Sequence, residues 1–88
     1  MEKLIATIRD GDTILAEGVD VWIESGKRAS GLDYWEGHFS MPDVVLLPAG
    51  GPFRLDANDG RSGDILISDV EFGRPTQGRF RGTGGVFG

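Results

Sequence analysis

The chain has 88 residues, the size of one small domain, and its 15 glycines suit short strands joined by tight turns. It contains no cysteine, which excludes disulfide bonds and thiolate chemistry. The formal net charge of −5 at pH 7 argues against broad electrostatic binding to nucleic acid or to an anionic membrane.

The N-terminal third alternates between apolar and polar residues, as half-buried strands do. Lys3 to Arg9 predicts a first strand, which ends in a turn at Asp10-Gly11. Thr13 to Ser25 predicts a second strand or two short ones. The apolar parity switches across Gly18, which indicates either a β-bulge or a plain loop.

The middle of the chain predicts a third strand and an apolar segment after it. Leu32 to Met41 places large apolar side chains on one face, and Pro42 ends that strand. The run Val44 to Leu47 stands between two prolines. Such a run favours a strand buried on both faces, or an edge strand covered by a partner.

The clearest pattern is Pro52 to Phe72, which predicts a hairpin around the turn Asn58-Asp59-Gly60. Arg79 to Thr83 predicts a last strand with Phe80 inward and its two arginines outward. Residues 84–88 are expected to form a loose C-terminal tail.

Residues 1–88 are therefore predicted to form a single all-β domain without substantial helix. The expected architecture is a small antiparallel barrel or a compact sandwich of six to seven short strands. The predicted core consists of the apolar residues on the inward parity of these strands: Leu4, Ala6, Ile8, Val19, Val21, Ile23, Trp35, Phe39, Met41, Val45, Leu47, Phe53, Leu55, Ile65, Ile67, Val70 and Phe72.

No set of residues has the spacing of a known catalytic centre, so we expect no enzyme activity and no cofactor. His38 is the only histidine, and none of the serines stands in a nucleophile-elbow motif. The acidic turn from Asp56 to Asp64 suggests calcium binding, but Arg61 and Ile67 occupy the positions where an EF-hand loop needs glycine and glutamate. A solvated hairpin turn is the preferred interpretation, and no metal is expected.

Two groups of apolar residues stand at positions where a partner would meet them. Trp22 and Tyr34 share the parity of charged residues, and large aromatics on polar faces are typical of interfaces. Val44, Val45 and Leu46 lie in the apolar run between the prolines. The leading functional prediction is a non-catalytic interaction or structural module that binds a protein partner or forms a homo-oligomer.

The alternative is a small barrel of the OB or SH3-like kind that binds single-stranded nucleic acid. Residues 73–88 carry three arginines and no acid, whereas all 14 acidic residues precede them. Arg74, Arg79 and Arg81 with the interleaved Phe80 would provide charge and base stacking. The competing interpretation is that these arginines pair with carboxylates of the domain itself.

The N-terminus shows no basic region followed by a long apolar run. We therefore expect neither a signal peptide nor a membrane-spanning segment, no contact with a membrane, and a cytoplasmic location.

Overall fold

A computed structural model describes residues 1–84 and 87–88, and it shows one closed antiparallel barrel. The six strands are β1 (Glu2–Asp10), β2 (Thr13–Lys27), β3 (Asp33–Met41), β4 (Gly50–Ala57), β5 (Ser62–Glu71) and β6 (Thr76–Gly82). The prediction of a small all-β domain is confirmed, and because the sheet is closed, the architecture is a barrel and not a sandwich. The described residues hold no helix of the length and apolarity needed to cross a bilayer.

The barrel consists of two three-stranded meanders in the order β1-β2-β3-β6-β5-β4. β3 pairs with β6, and β1 pairs with β4, which closes the circle. Each of the six strands therefore has a neighbour on both sides, and none presents a free edge for pairing with another chain. The connection from β3 to β4 has to cross one end of the barrel.

The prediction of a strand over Val44–Leu47 is wrong, because this crossing segment is irregular. Leu47 is fully buried and fills the barrel end, which explains the apolar character of the run. The buried Thr76 hydroxyl holds the segment in place. It accepts a hydrogen bond from the Val45 N–H (3.2 Å) and donates one to the Asp43 carbonyl (2.9 Å).

The parity switch at Gly18 is a β-bulge. Ala6 pairs with Val19 and Ile8 pairs with Ala16, so two residues of β2 oppose one residue of β1. Gly18 has a φ of 63°, a conformation that glycine adopts without steric cost. The bulge returns Val19 and the next alternate residues of β2 to the interior.

The interior seam between β3 and β6 is built from aromatic rings laid over glycines. By register, Phe80 of β6 faces Gly37, and Phe39 of β3 faces Gly78. The Trp35 indole covers Gly82 so closely that a methyl group there would overlap the ring. A barrel of six strands has room for one large ring per pair and not for two, so the opposite position is glycine.

Most of the predicted core is buried, with four exceptions. Leu4, Val45 and Val70 are only partly buried. Phe72 was expected inside but is 53% exposed, because β5 ends at Glu71 and the ring lies beyond the last layer of the barrel. Ala16, Ala57, Phe80 and Phe87 complete the core.

Within the segment predicted to be a loose tail, the side chain of Phe87 is buried. Its ring lies 4.8 Å from the Trp35 ring, and the Arg61 guanidinium covers it at 5.3 Å. The same guanidinium donates hydrogen bonds to Glu2 and Asp59, so it connects the first strand, the β4–β5 turn and the C-terminal segment. Residues 85 and 86 of the predicted tail lie outside the described residues.

The aromatic–glycine seam can be tested with Gly82→Ala. We expect this variant to lose about 3 kcal/mol of unfolding free energy, the upper end for overpacking of a filled interior, in chemical denaturation followed by circular dichroism. Gly73→Ala is the matched control, because its methyl group would lie 3.5 Å from the Pro75 carbonyl oxygen, an ordinary contact. The added substitution Trp35→Leu should make the combined loss smaller than the sum of the two single losses. Equal losses in Gly82→Ala and Gly73→Ala would contradict the steric argument.

The role of the C-terminal segment can be tested by comparing two phenylalanines. Phe87→Ala should cost about 3 kcal/mol of unfolding free energy, as for a buried ring. Phe72→Ala makes the same chemical change at an exposed site and should cost less than about 1 kcal/mol. Thermal unfolding of both variants measures the difference. A Phe87→Ala variant as stable as Phe72→Ala would show that this ring does not close the barrel.

Candidate functional site

The most distinctive surface feature is a row of side chains across the outside of three strands. Trp22 of β2 pairs with His38 of β3, which pairs with Arg79 of β6. The Trp22 and His38 rings stack at a centroid distance of 4.9 Å and an angle of 13°. Trp22 is half-buried, whereas His38 and Arg79 are exposed, so an aromatic surface lies in solvent next to a cation.

An open groove of about 870 Å³ runs along this row. Its lining combines the aromatic stack and Arg79 with carboxylates and smaller side chains from β3, β5 and β6: Ser40, Asp69, Val70, Glu71 and Gln77. Charge of both signs and aromatic surface in one concavity is typical of a recognition site.

A bulge in β5 places one of these carboxylates. Ile67 pairs with Phe80, and Asp69 pairs with Arg79, so Ser68 is the extra residue. Both Ser68 and Asp69 are exposed on the outer surface, and the Ser68 hydroxyl lies 3.3 Å from the Arg79 carbonyl oxygen. Asp69 thereby joins the row that Trp22 begins.

The basic residues of the barrel fall into two groups. Arg9 contacts Asp56 at 2.6 Å, and Arg54 lies 3.2 Å from Asp64. Within residues 1–84 and 87–88, no carboxylate lies within 4 Å of the three C-terminal arginines: Arg74, Arg79 and Arg81. The interpretation that the domain's own acids neutralise these arginines is therefore wrong for direct ion pairs.

Phe80 is not available to bind nucleic acid. Phe80 is buried with 3% exposure, and its ring lies 6.2 Å from that of Trp35. Strand alternation turns it inward while Arg79 and Arg81 point outward, so it is not available to stack on a base. The aromatic surface next to these arginines comes instead from Trp22 and His38.

Tyr34 lies on the same outer surface as Trp22 but does not join its patch. Tyr34 pairs with Gly26, and it lies four positions from His38 along β3, a distance of roughly 13 Å. The Arg28 guanidinium covers its ring at 5.2 Å. The two predicted aromatics therefore belong to separate surfaces.

The predicted apolar contact residues lie at the barrel end rather than on a strand edge. Val44 and Leu46 are 53% and 84% exposed, whereas Val45 packs partly against the core. Phe72 is also exposed at this end. Their part in binding a partner stays a prediction.

The carboxylates of the acidic turn are held by arginines. Asp56 and Asp64 contact Arg54, and Asp59 contacts Arg61 at 2.8 Å. The hydrogen bond from the Arg61 side chain lowers the pKa of the Asp59 carboxyl below its ordinary value. Among the described residues, no three His, Asp or Glu side chains converge in a way that would hold a metal ion.

Sequence reasoning did not place His38, Asp69 and Glu71 in this groove. The stack of His38 on Trp22 could not be predicted, because it depends on the β2–β3 register. The pairing of Lys27 with Asp33 fixes that register, and both residues are visible in the sequence as the ends of a polar turn. Asp69 had no comparable signal, because its orientation depends on the bulge at Ser68.

Comparison with known proteins gives one partial likeness. The chain is 35% identical over 68 residues to a protein named GTPase Obg from Lachnoclostridium phytofermentans. The aligned region covers 77% of this chain but only 14% of that protein. No family model matches the sequence, and the comparison with solved structures found no match for the chain.

Proposed function

We propose that this barrel is a non-catalytic binding module that recognises a protein partner through the outer surface of β2, β3 and β6. The observation that supports this proposal most strongly is the part-exposed Trp22–His38 stack beside Arg79 in one groove. Aromatic residues and arginine are the types most enriched where protein interfaces bind tightly.

The closed barrel restricts how such a partner binds. Because every strand is paired on both sides, a partner cannot extend the sheet through backbone hydrogen bonds without opening it. Recognition then depends on side chains of the outer surface. The filled interior adds to this restriction, because Trp35, Phe39 and Phe80 occupy the space that a ligand inside the barrel would need.

The name of the similar protein, a GTPase, raises nucleotide hydrolysis as a further function. A phosphate-binding P-loop has the pattern G-x-x-x-x-G-K-S/T before a helix. Of the two lysines in the chain, only Lys27 follows a glycine, but Val21 and Arg28 occupy the positions of the first glycine and the Ser/Thr. The partial likeness therefore lends no support to GTP hydrolysis here.

Binding through the aromatic stack can be tested with Trp22→Ala. Short random peptides would be selected by display on the wild-type barrel, and the enriched peptides would be titrated into labelled protein by nuclear magnetic resonance. We expect Trp22→Ala to weaken their binding by about tenfold or more, because a central aromatic anchor is lost.

Ile5→Ala is the matched control, because Ile5 is 45% exposed on β1 and lies outside the groove. It should leave peptide affinity unchanged. His38→Ala removes the other half of the stack and provides a second test if Trp22→Ala fails to fold. Enriched peptides that bind both stack variants as tightly as the wild type would contradict the proposal.

Single-stranded nucleic acid is the second candidate, since Arg79 and Arg81 lie on the same surface as the stack and form no ion pair with the carboxylates of residues 1–84 and 87–88. Asp69 and Glu71 disfavour nucleic-acid binding, because both carboxylates line the groove and would repel phosphates. We expect an oligothymidylate to leave the amide spectrum unchanged at physiological salt. Shifts at the stack and at both arginines that fade steeply as salt rises would overturn the protein-partner proposal in favour of nucleic acid.

A further inference from the structure

The charges in the groove have a definite order, and this order specifies what the groove would bind if the proposed function holds. Arg79 lies directly beside His38 in the same row. Glu71 pairs with Gln77, two residues away from Arg79 along β6. Aromatic surface, cation and carboxylate therefore follow one another from β2 towards β5.

The spacing of these three features matches an extended peptide. Adjacent strands lie roughly 5 Å apart, and two residues along a strand span roughly 7 Å. The step from the stack to Arg79 crosses one strand spacing from His38 and two from Trp22, roughly 5 to 10 Å. The step from Arg79 to Glu71 combines one strand spacing with two residues along the strand, a diagonal of roughly 8 Å. Alternate side chains of an extended peptide also point to one side at roughly 7 Å intervals.

Arg79 is available for an incoming carboxylate. Asp69 faces it in the register, but among the described residues no carboxylate, that of Asp69 included, lies within 4 Å of the Arg79 guanidinium. By contrast, Arg54 contacts Asp56, Asp64 and the Ser62 hydroxyl. An arginine fork left open at the surface pairs well with a carboxylate, which it can bind through two hydrogen bonds.

The mixed charge of the lining disfavours ligands with charge of one sign. A polyanion would meet Asp69 and Glu71, and a polycation would meet Arg79. We propose that the groove binds an extended peptide segment with an aromatic or apolar, an acidic and a basic side chain at alternate positions, in that order. The first covers the Trp22–His38 stack, the second pairs with Arg79 and the third with Glu71.

Two capped synthetic peptides of equal composition test this order. The probe Tyr-Gly-Glu-Gly-Lys has the proposed sequence of side chains, and Tyr-Gly-Lys-Gly-Glu exchanges the two charges. Both would be titrated into the isotope-labelled full chain. We expect the first probe to shift the amides of the groove and to bind about tenfold more tightly than the second.

Charge reversal in the protein makes the test specific. Glu71→Lys should weaken Tyr-Gly-Glu-Gly-Lys and strengthen Tyr-Gly-Glu-Gly-Glu, and Arg79→Glu should abolish the preference for the first probe over its charge-exchanged partner. Arg28→Glu makes the same change of charge outside the groove and should leave the ranking of probes intact.

The outcomes separate this inference from the proposed function. Equal groove shifts with both probes would overturn the charge order but leave the protein-binding surface standing. Groove shifts with neither probe would also overturn the charge order. The proposed function would fall only if the display-selected peptides were likewise insensitive to Trp22→Ala and His38→Ala.

Discussion

The close packing of aromatic rings on glycines along the β3–β6 seam is the constraint on which the rest of the barrel depends. The two meanders meet at this seam, and their strands approach closely only because Gly37, Gly78 and Gly82 leave room for the rings. The arrangement has a cost. The buried Trp35 Nε1–H has no acceptor among the described residues, a loss that dispersion contacts of the indole must outweigh.

Closure of the barrel at both ends follows from segments that the strands themselves do not provide. Leu47 fills one end from the crossing segment, and Phe87 packs on Trp35 at the other. The hydrogen bonds of the buried Thr76 hydroxyl hold the segment that carries Leu47, and the Arg61 guanidinium packs over Phe87. Because the interior and the edges are both occupied, the surface left for recognition is the outside of the sheet.

The charges of that surface follow from a division among the arginines. Arg9, Arg54 and Arg61 contact carboxylates. The hydrogen bonds that Arg61 donates to Glu2 and Asp59 raise the pKa of its guanidinium. The three C-terminal arginines, Arg74, Arg79 and Arg81, contact no carboxylate among the described residues. The net negative chain thus presents Arg79 beside an aromatic stack, in a groove that Asp69 and Glu71 also line.

The sequence by itself determined the strands, because apolar residues at every second position directly reflect the two faces of a sheet. It also placed the inward turn of Phe80 and most of the core, and it marked the change of face at Gly18, which the pairing of β1 with β2 shows to be a bulge. Only the tertiary structure decided that the Val44–Leu47 run crosses a barrel end, since an apolar run has the same pattern in a buried strand and in a plug. Likewise, Phe87 is buried only because Trp35 and Arg61 come together from distant parts of the chain. The stack of Trp22 on His38 and the alignment of Arg79 with Asp69 depend on register, which is set by pairing between strands and not by the pattern within any one of them.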